Sequence, residues 1–215
     1  MSARDHILGA IRRRLGRPVE DAGHADARLG THPCGPVPAA AGGGHATRVE
    51  HFVERALAAS AEMERLGQAD DLPGLAARLC HEYGHDARIA VAPEPVLTRM
   101  DWSEAGLAVA FRAGHADDRV TVSRADCGIA ETGTLVLTSG STRPTTLNFL
   151  PDLHIVLLTA DSIVGAYEDA WDLLRADGAL PRTVNWITGP SRSADIEQHL
   201  QLGAHGPVRL VIAFA

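Results

Sequence analysis

Lysine is absent from this 215-residue sequence, in which all 20 basic residues are arginine. That absence excludes a lysine Schiff base and a P-loop lysine. Cysteine is scarce as well, since Cys34, Cys80 and Cys127 stand far apart and form no C-x-x-C pair. Neither a disulfide framework nor a four-cysteine cluster site can be built within one chain, and we expect a reducing, cytoplasmic compartment.

Long apolar runs and a broad excess of positive charge are also missing. Hydrophobic residues make up 45% of the chain, but no apolar stretch reaches the length of a membrane-spanning helix, which predicts a soluble protein. The net charge of −7 offers no broad basic surface for phosphate backbones, so nucleic-acid binding is disfavoured. The length suits one α/β domain.

The main domain is preceded by an N-terminal extension. Ile7, Leu8, Ile11 and Leu15 share one helical face and predict an amphipathic helix. Residues 16–46 are rich in glycine and proline with scarcely any apolar periodicity, which is typical of a linker or a mobile flap. We therefore predict an N-terminal helix and linker over residues 1–46 and a single domain over residues 47–215.

Within the domain, helical patterns over residues 49–66 and 72–83 precede alternating strands and helices. The predicted strands are short, apolar or β-branched, and bounded by Gly, Pro or Asp: 88–92, 106–111, 120–123, 134–138, 153–158, 183–187 and 208–213. Two later helices are predicted over residues 163–174 and 194–202. The apolar run 155–158 indicates a strand buried on both faces, which favours a mainly parallel sheet in a three-layer α/β/α fold.

One segment resembles a metal site. The stretch from His81 to His85 matches the zinc-protease pattern H-E-x-x-H, which needs both histidines on one helix face. Gly84 stands where the helical pattern stops, so we expect His85 to lie beyond the end of the helix. The sequence therefore predicts no metal site.

A first polar island precedes the predicted strand 134–138. In Glu131-Thr132-Gly133-Thr134, glycine permits close backbone approach, and the threonine hydroxyls can hold a polar ligand or simply close the turn. Glu131 is a candidate general base or nucleophile. The alternative is a structural carboxylate that caps backbone amides or pairs with Arg143 or Arg192.

A second polar island follows the predicted strand 183–187. The run from Gly189 through Ser191 and Arg192 to Ser193 nearly spells the nucleophile elbow G-x-S-x-G, but Ser193 replaces the final glycine. A serine hydrolase is therefore disfavoured. Two interpretations remain open: Ser193 caps the following helix, or the hydroxyls, Arg192 and the helix amides together bind an anion.

Three further side chains complete the candidate set. Arg143 lies in a polar loop that can close over a ligand, and His205 lies in a turn between glycines that exposes its side chain. We interpret Cys127 and His154 as packing residues.

Ligands in open α/β sheets bind outside the carboxyl ends of parallel strands. We therefore expect the turns after strands 134–138 and 183–187 to meet at one pocket. Arg143 and Arg192 would bind an anion there, and Glu131 and His205 would line it.

Each polar island belongs to a longer segment, and these two segments resemble the LutC/YkgG-type lactate-utilisation proteins of the LUD-domain family. The segments are residues 127–137 with Arg143 and residues 189–197 with 203–207. The resemblance runs from about Phe52 to the C-terminus. It implies the superfold of phosphosugar isomerases, sugar-phosphate deaminases and coenzyme A transferases (NagB/RpiA/CoA-transferase-like). It also implies a cytoplasmic component of L-lactate oxidation that works with a cysteine-rich subunit and an iron–sulfur subunit.

The sequence holds no G-x-G-x-x-G, P-loop or cysteine cluster, so we expect no cofactor in this chain and iron–sulfur clusters in its partner subunits. Whether the chain is itself an enzyme stays open. One alternative is a stand-alone isomerase or acyl/CoA transferase that acts on a small carboxylate or phosphate through Glu131 with Arg143 or Arg192. The other is a non-catalytic assembly module.

Overall fold

A computed structural model describes residues 2–16, 22–176, 178–194, 200–203 and 205–215. The chain divides into two compact units, Met1–Pro36 and Val37–Ala215. The first unit contains helices α1 (Ala3–Leu15) and α2 (Ala22–Thr31). The predicted N-terminal helix is thus confirmed as α1, whereas α2 is a regular element within the segment that we predicted as a linker.

The second unit contains four α-helices among its described residues: α3 (His45–Ala58), α4 (Leu72–Glu82), α5 (Pro95–Thr98) and α6 (Tyr167–Ala176). Its strands are β1 (Glu62–Arg65), β2 (Arg88–Val91), β3 (Ala108–Phe111), β4 (Val120–Arg124), β5 (Cys127–Ile129), β6 (Thr134–Thr138), β7 (Leu153–Leu158), β8 (Ile163–Val164), β9 (Val184–Ile187), β10 (Arg192–Ala194), β11 (Leu200–Leu202) and β12 (Arg209–Phe214). Each of the seven predicted strands is confirmed to within two residues at either end.

The main sheet has six strands in the order β1-β12-β7-β4-β2-β3, and every neighbouring pair is parallel. All six residues of β7 are buried, as expected for a strand covered on both faces. The register sets Leu153 of β7 beside both Val120 of β4 and Arg209 of β12. The prediction of an α/β fold with a mainly parallel sheet is therefore confirmed.

Different elements cover the two faces of the six-stranded sheet. Apolar side chains of α4 and α5, such as Leu75, Leu79 and Leu97, pack against one face. Phe52 of α3 and Leu135 of β6 pack against the other. The hydrophobic core therefore lies on both sides of β7. Strand β6, which covers one face of the main sheet, belongs to a second sheet.

That second sheet has four strands in the order β8-β5-β6-β9. Strand β6 is antiparallel to both β5 and β9, and β8 is parallel to β5. Helix α6 packs on its outer face, where the rings of Trp171 and Trp186 lie 5.2 Å apart. We did not predict this sheet. On this side of the main sheet we expected helices alone, and the structure has both helices and strands.

The prediction of a continuous helix over residues 49–66 is wrong in its second half. Helix α3 ends at Ala58, and the chain then forms the edge strand β1. Glu62 of this strand accepts hydrogen bonds from Arg209 at 2.7 Å and from Tyr83 at 2.6 Å. These polar partners explain an edge strand whose residues carry little apolar periodicity.

The prediction of a helix over residues 194–202 is wrong at its described positions, Ala194 and residues 200–202. Strands β10 and β11 form an antiparallel pair that sets Arg192 beside Leu202 and Ala194 beside Leu200. Ser193 therefore lies in a strand and does not cap a helix. Such a short helix has little stability of its own, so backbone pairing prevails over the local propensity. The residues between these strands lie outside the described ranges.

The glycines of the two polar islands both press against the end of α3. Gly133 has φ 68°, and a Cβ atom there would come within 2.2 Å of the backbone nitrogen of Ala56. Gly189 has φ 75°, and a Cβ atom there would come within 2.0 Å of the carbonyl oxygen of Ala59. These contacts tie the start of β6 and the end of β9 to one helix.

We expect Gly133→Ala to destabilise the fold far more than Gly84→Ala. Gly84 has φ 69° but nothing within 4 Å of the added Cβ, so it isolates the backbone strain from the clash. The clash should cost Gly133→Ala about 1–3 kcal/mol beyond the control. Urea unfolding of both variants measures the difference, and equal losses would contradict the packing role.

Candidate functional site

The two turns that we expected to share a pocket lie at opposite ends of the second sheet. Strands β6 and β9 are antiparallel, with Leu135 beside Ile187 and Thr138 beside Val184. The turn after β6 therefore adjoins the start of β9, where Ser139 donates its amide hydrogen to Thr183. The prediction of one shared pocket is wrong, because it assumed that these strands were parallel.

The first polar island nevertheless contacts Thr188, the residue just before the second island, at the start of β6. The hydroxyl of Thr134 lies 2.6 Å from those of both Thr132 and Thr188, and 3.1 Å from that of Tyr167. Thr134 is fully buried. Since the hydroxyls bond to one another, this end of β6 favours the turn-closing interpretation of the threonines.

Glu131 lies beside this hydroxyl network, half-buried, and its amide donates to Gly165. It forms no ion pair with Arg143 or Arg192 in the part of the chain that the structure describes. Glu131 and Arg143 flank opposite ends of β6. The structure thus separates Glu131 from Arg143, one of the two arginines with which the transferase alternative paired it.

A third region of the molecule contains Ser191, Arg192 and His205. The amide of Ser191 donates to Pro207 at 2.9 Å, just before β12 begins. This turn therefore lies at the amino end of the six-stranded sheet, with Arg192 and His205 exposed. Of the predicted site residues, Gly189, Ser191, Arg192 and His205 lie in this region and Arg143 does not.

Arg143 lies instead in a cluster of four charged side chains, which we call the arginine cluster: Glu94, Arg124, Asp126 and Arg143. Oε2 of Glu94 accepts from Nε of Arg143 at 3.0 Å and from Nε and Nη2 of Arg124 at 3.2 and 3.0 Å. Nη1 of Arg143 donates to Asp126 and, at 3.0 Å, to Thr138. One buried carboxylate thus holds two guanidinium groups together.

The position of the arginine cluster follows from the topology of the main sheet. Glu94 follows the carboxyl end of β2, and Arg124 is the last residue of β4. From β2 the chain continues to β3 on one side, and from β4 the next strand of this sheet is β7 on the other. Such a reversal opens a crevice at the carboxyl ends of the strands, where ligands of open α/β sheets bind.

The charges of the arginine cluster balance, and its members differ in exposure. The Glu94 side chain is 4% exposed, whereas those of Arg124 and Arg143 are 30% and 32% exposed. Nη1 of Arg124 and Nη2 of Arg143 have no hydrogen bond among the described residues. The cluster therefore presents two partly exposed guanidinium groups with donor capacity to spare.

A narrow cleft opens beside the arginine cluster. Its polar lining comprises Glu94, Ser123, Arg124, Thr138, Arg143 and Asn148. The cleft volume is about 10 Å³, which is room for about one water molecule. Arg143 belongs to a tight turn in which its amide and carbonyl both bond to Gly140. A carboxylic acid is larger than this cleft, so its binding would require the lining side chains to move apart.

Sequence reasoning missed three of the four cluster residues. Glu94, Arg124 and Asp126 follow or end predicted strands, and this position was the available signal, because carboxyl ends of parallel strands share one edge. Their pairing with Arg143 depends on a loop that leaves the second sheet. The sequence around each of these residues does not predict that contact.

Ser123 and His154 form a buried pair at the same cleft. Oγ of Ser123 lies 2.7 Å from Nε2 of His154, and Nδ1 of His154 has no hydrogen-bond partner among the described residues. Burial lowers the pKa of His154 to about 3, so the imidazole is neutral near pH 7. His154 is fully buried, as its packing interpretation predicts, but it also contacts the serine that lines the cleft.

The H-E-x-x-H segment does not place its histidines on one helix face. Helix α4 ends at Glu82, Gly84 has φ 69°, and the amide of His85 donates to Cys80 at 2.8 Å. This pattern is a Schellman C-terminus, and the predicted position of His85 beyond the helix is confirmed. Among the described residues, no three His, Cys, Asp or Glu side chains are grouped as metal ligands.

Burial raises the pKa of the Cys127 thiol to about 12, so this thiol stays protonated. Among the helices described, none is both long enough and apolar enough to cross a membrane.

A family model described as the LUD domain matches residues 49–214. The chain belongs to the LUD-domain family. A protein from Neisseria meningitidis serogroup B is 28% identical, over 99% of this chain and 93% of its own. Lactate utilization protein C of Anoxybacillus flavithermus is 40% identical over 39% of this chain and 38% of its own, and that of Bacillus subtilis is 39% identical over 42% and 39%. The chain thus spans about two fifths of the length of these LutC relatives.

A solved structure of a DUF162 family protein from Deinococcus radiodurans has the same fold. The two superpose with a TM-score of 0.60 at 23% sequence identity, over 81% of this chain and all of that one. At this identity the likeness supports the fold alone.

The low pKa of His154 predicts a pH-dependent stability. Between pH 6.5 and about pH 3 the unfolded chain binds a proton at this residue that the folded chain does not. The free energy of unfolding therefore falls as the pH drops through this window.

His154→Asn should make the free energy of unfolding less dependent on pH between pH 7 and pH 5. The slope should fall by the equivalent of up to about one bound proton, and urea unfolding across that range measures it. His205→Asn, which changes an exposed histidine, is the matched control. Equal slopes for the original chain and His154→Asn would contradict the assignment.

Proposed function

We propose that this chain is a LutC-like component of L-lactate utilisation that binds a small carboxylate at the arginine cluster. Two kinds of observation support the proposal. The LUD domain covers residues 49–214, and relatives that match part of the chain are named lactate utilization protein C. The cluster, in turn, places Arg124 and Arg143 at the reversal point of the sheet.

The single observation that carries the binding site is the shared carboxylate of Glu94. One oxygen of Glu94 accepts three hydrogen bonds from the two guanidinium groups, so the site already has the geometry that holds a carboxylate. A ligand carboxylate would bind to the spare nitrogens, or replace Asp126 as the partner of Arg143. Arginine suits this role because its planar donors match a carboxylate.

The oxidation of lactate to pyruvate removes two electrons and two protons, and in this proposal the electrons pass through other subunits. The three isolated cysteines of this chain suit no iron–sulfur cluster, so the clusters would belong to an iron–sulfur subunit and a cysteine-rich subunit in the cytoplasm. This chain would bind and orient the organic acid or its product.

Deletion of the gene should impair growth on L-lactate and leave growth on pyruvate intact, in a cell with no other lactate-oxidising enzyme. The intact chain should restore growth, and a chain with Arg124→Gln and Arg143→Gln should not. Arg78→Gln, which alters a half-exposed arginine paired with Glu64 and Glu82, is the matched control. Equal growth of the deletion strain on both acids would refute the lactate role.

Purified chain should bind L-lactate or pyruvate, and Arg143→Gln should weaken this binding by about 1.5–3 kcal/mol, the usual value of a charge-assisted hydrogen bond. Isothermal titration calorimetry measures the loss, and melting curves check that the variant is folded. Arg192→Gln, at the other end of the sheet, should bind as the original chain does. If Arg192→Gln weakened binding as much as Arg143→Gln, the site would lie elsewhere.

A further inference from the structure

The cleft beside the arginine cluster contains a neutral donor as well as charged ones. Ser123 lines the cleft together with Arg124 and Arg143, and it is 5% exposed. Its hydroxyl is hydrogen-bonded to Nε2 of His154, a fully buried residue of the neighbouring strand β7. A serine fixed in this way presents one oriented hydrogen-bonding group to the cleft.

The unpartnered Nδ1 of His154 favours one tautomer. If Nδ1 carried the hydrogen, a buried N–H group would lack an acceptor, which is rarer in proteins than an acceptor that lacks a donor. The favoured tautomer carries its hydrogen on Nε2 and donates it to Oγ of Ser123. The serine hydrogen then cannot point at His154, and it is free to point into the cleft.

We propose that the cleft selects short 2-hydroxy or 2-oxo carboxylic acids, with Arg124 and Arg143 holding the carboxylate and Ser123, positioned by His154, donating to the oxygen on carbon 2. This inference rests on the proposed carboxylate site and adds the feature that distinguishes its ligands. A charged cluster alone would bind any small carboxylate. A neutral hydrogen-bond donor beside it would strengthen the binding of acids that carry an oxygen on carbon 2.

A nucleophilic role for Ser123 fits the structure less well. A catalytic serine needs a base that can take up its proton and a third group that stabilises the resulting imidazolium. In the part of the chain that the structure describes, His154 has no such group, because its Nδ1 has no partner there, and burial opposes the charged form. The pair is therefore suited to orient a hydroxyl and unsuited to activate it.

The test compares two acids of similar size, L-lactate and propionate, which differ in the 2-hydroxyl group. We expect the unmodified chain to bind L-lactate about two- to tenfold more tightly than propionate, the range of a neutral hydrogen bond. Ser123→Ala should remove this preference by weakening L-lactate and leaving propionate unchanged. Ser103→Ala, an exposed serine that bonds to Asp101, is the matched control and should keep the preference.

The ratio of the two dissociation constants separates selection from damage, since a misfolded cleft would weaken both acids alike. If Ser123→Ala kept the preference for L-lactate, the inference would be wrong while the carboxylate site would stand. If the original chain bound both acids equally, the same conclusion would follow. If it bound neither, both the site and the inference would be wrong.

The orientation of His154 can be checked without a ligand. In two-bond ¹H–¹⁵N spectra of the ¹⁵N-labelled chain, the histidine whose signals shift in Ser123→Ala should be neutral with its hydrogen on Nε2. A hydrogen on Nδ1 would overturn the donor role of Ser123, because the serine hydrogen would then point at His154.

Discussion

The buried carboxylate of Glu94 joins the two sheets of this protein. It follows β2 of the six-stranded sheet, pairs with Arg124 at the end of β4, and also holds Arg143 from the loop that leaves β6 of the second sheet. A buried charge that loses a partner costs about 3–5 kcal/mol. The loop that carries Arg143 is therefore held at the carboxyl edge of the main sheet, where Arg143 lines the cleft.

The two ends of β6 have different roles as a result. At its start, Gly133 presses against α3 and the hydroxyl of Thr134 bonds to those of Thr132 and Thr188. Close packing leaves little room for a ligand there. At its end, Arg143 reaches partly exposed charged groups beside a cleft.

Neutral and charged donors meet at this cleft under different constraints. The arginines are partly exposed and keep unused donors, whereas Ser123 is buried against the fully buried His154. In the proposed binding mode the arginines would bind the carboxylate and the fixed hydroxyl would discriminate between acids.

The sequence by itself determined the α/β class, the seven strands of clear apolar pattern and the likeness to lactate-utilisation proteins, because these depend on local periodicity and short motifs. It also singled out Arg143, although with the wrong companions. Tertiary structure alone decided that β6 and β9 are antiparallel, which separates the turn that contains Arg143 from the turn after β9. It also decided that Glu94 and Arg124 of the main sheet pair with Arg143. Strand direction and long-range ion pairs depend on how distant segments pack, and no local pattern encodes that choice.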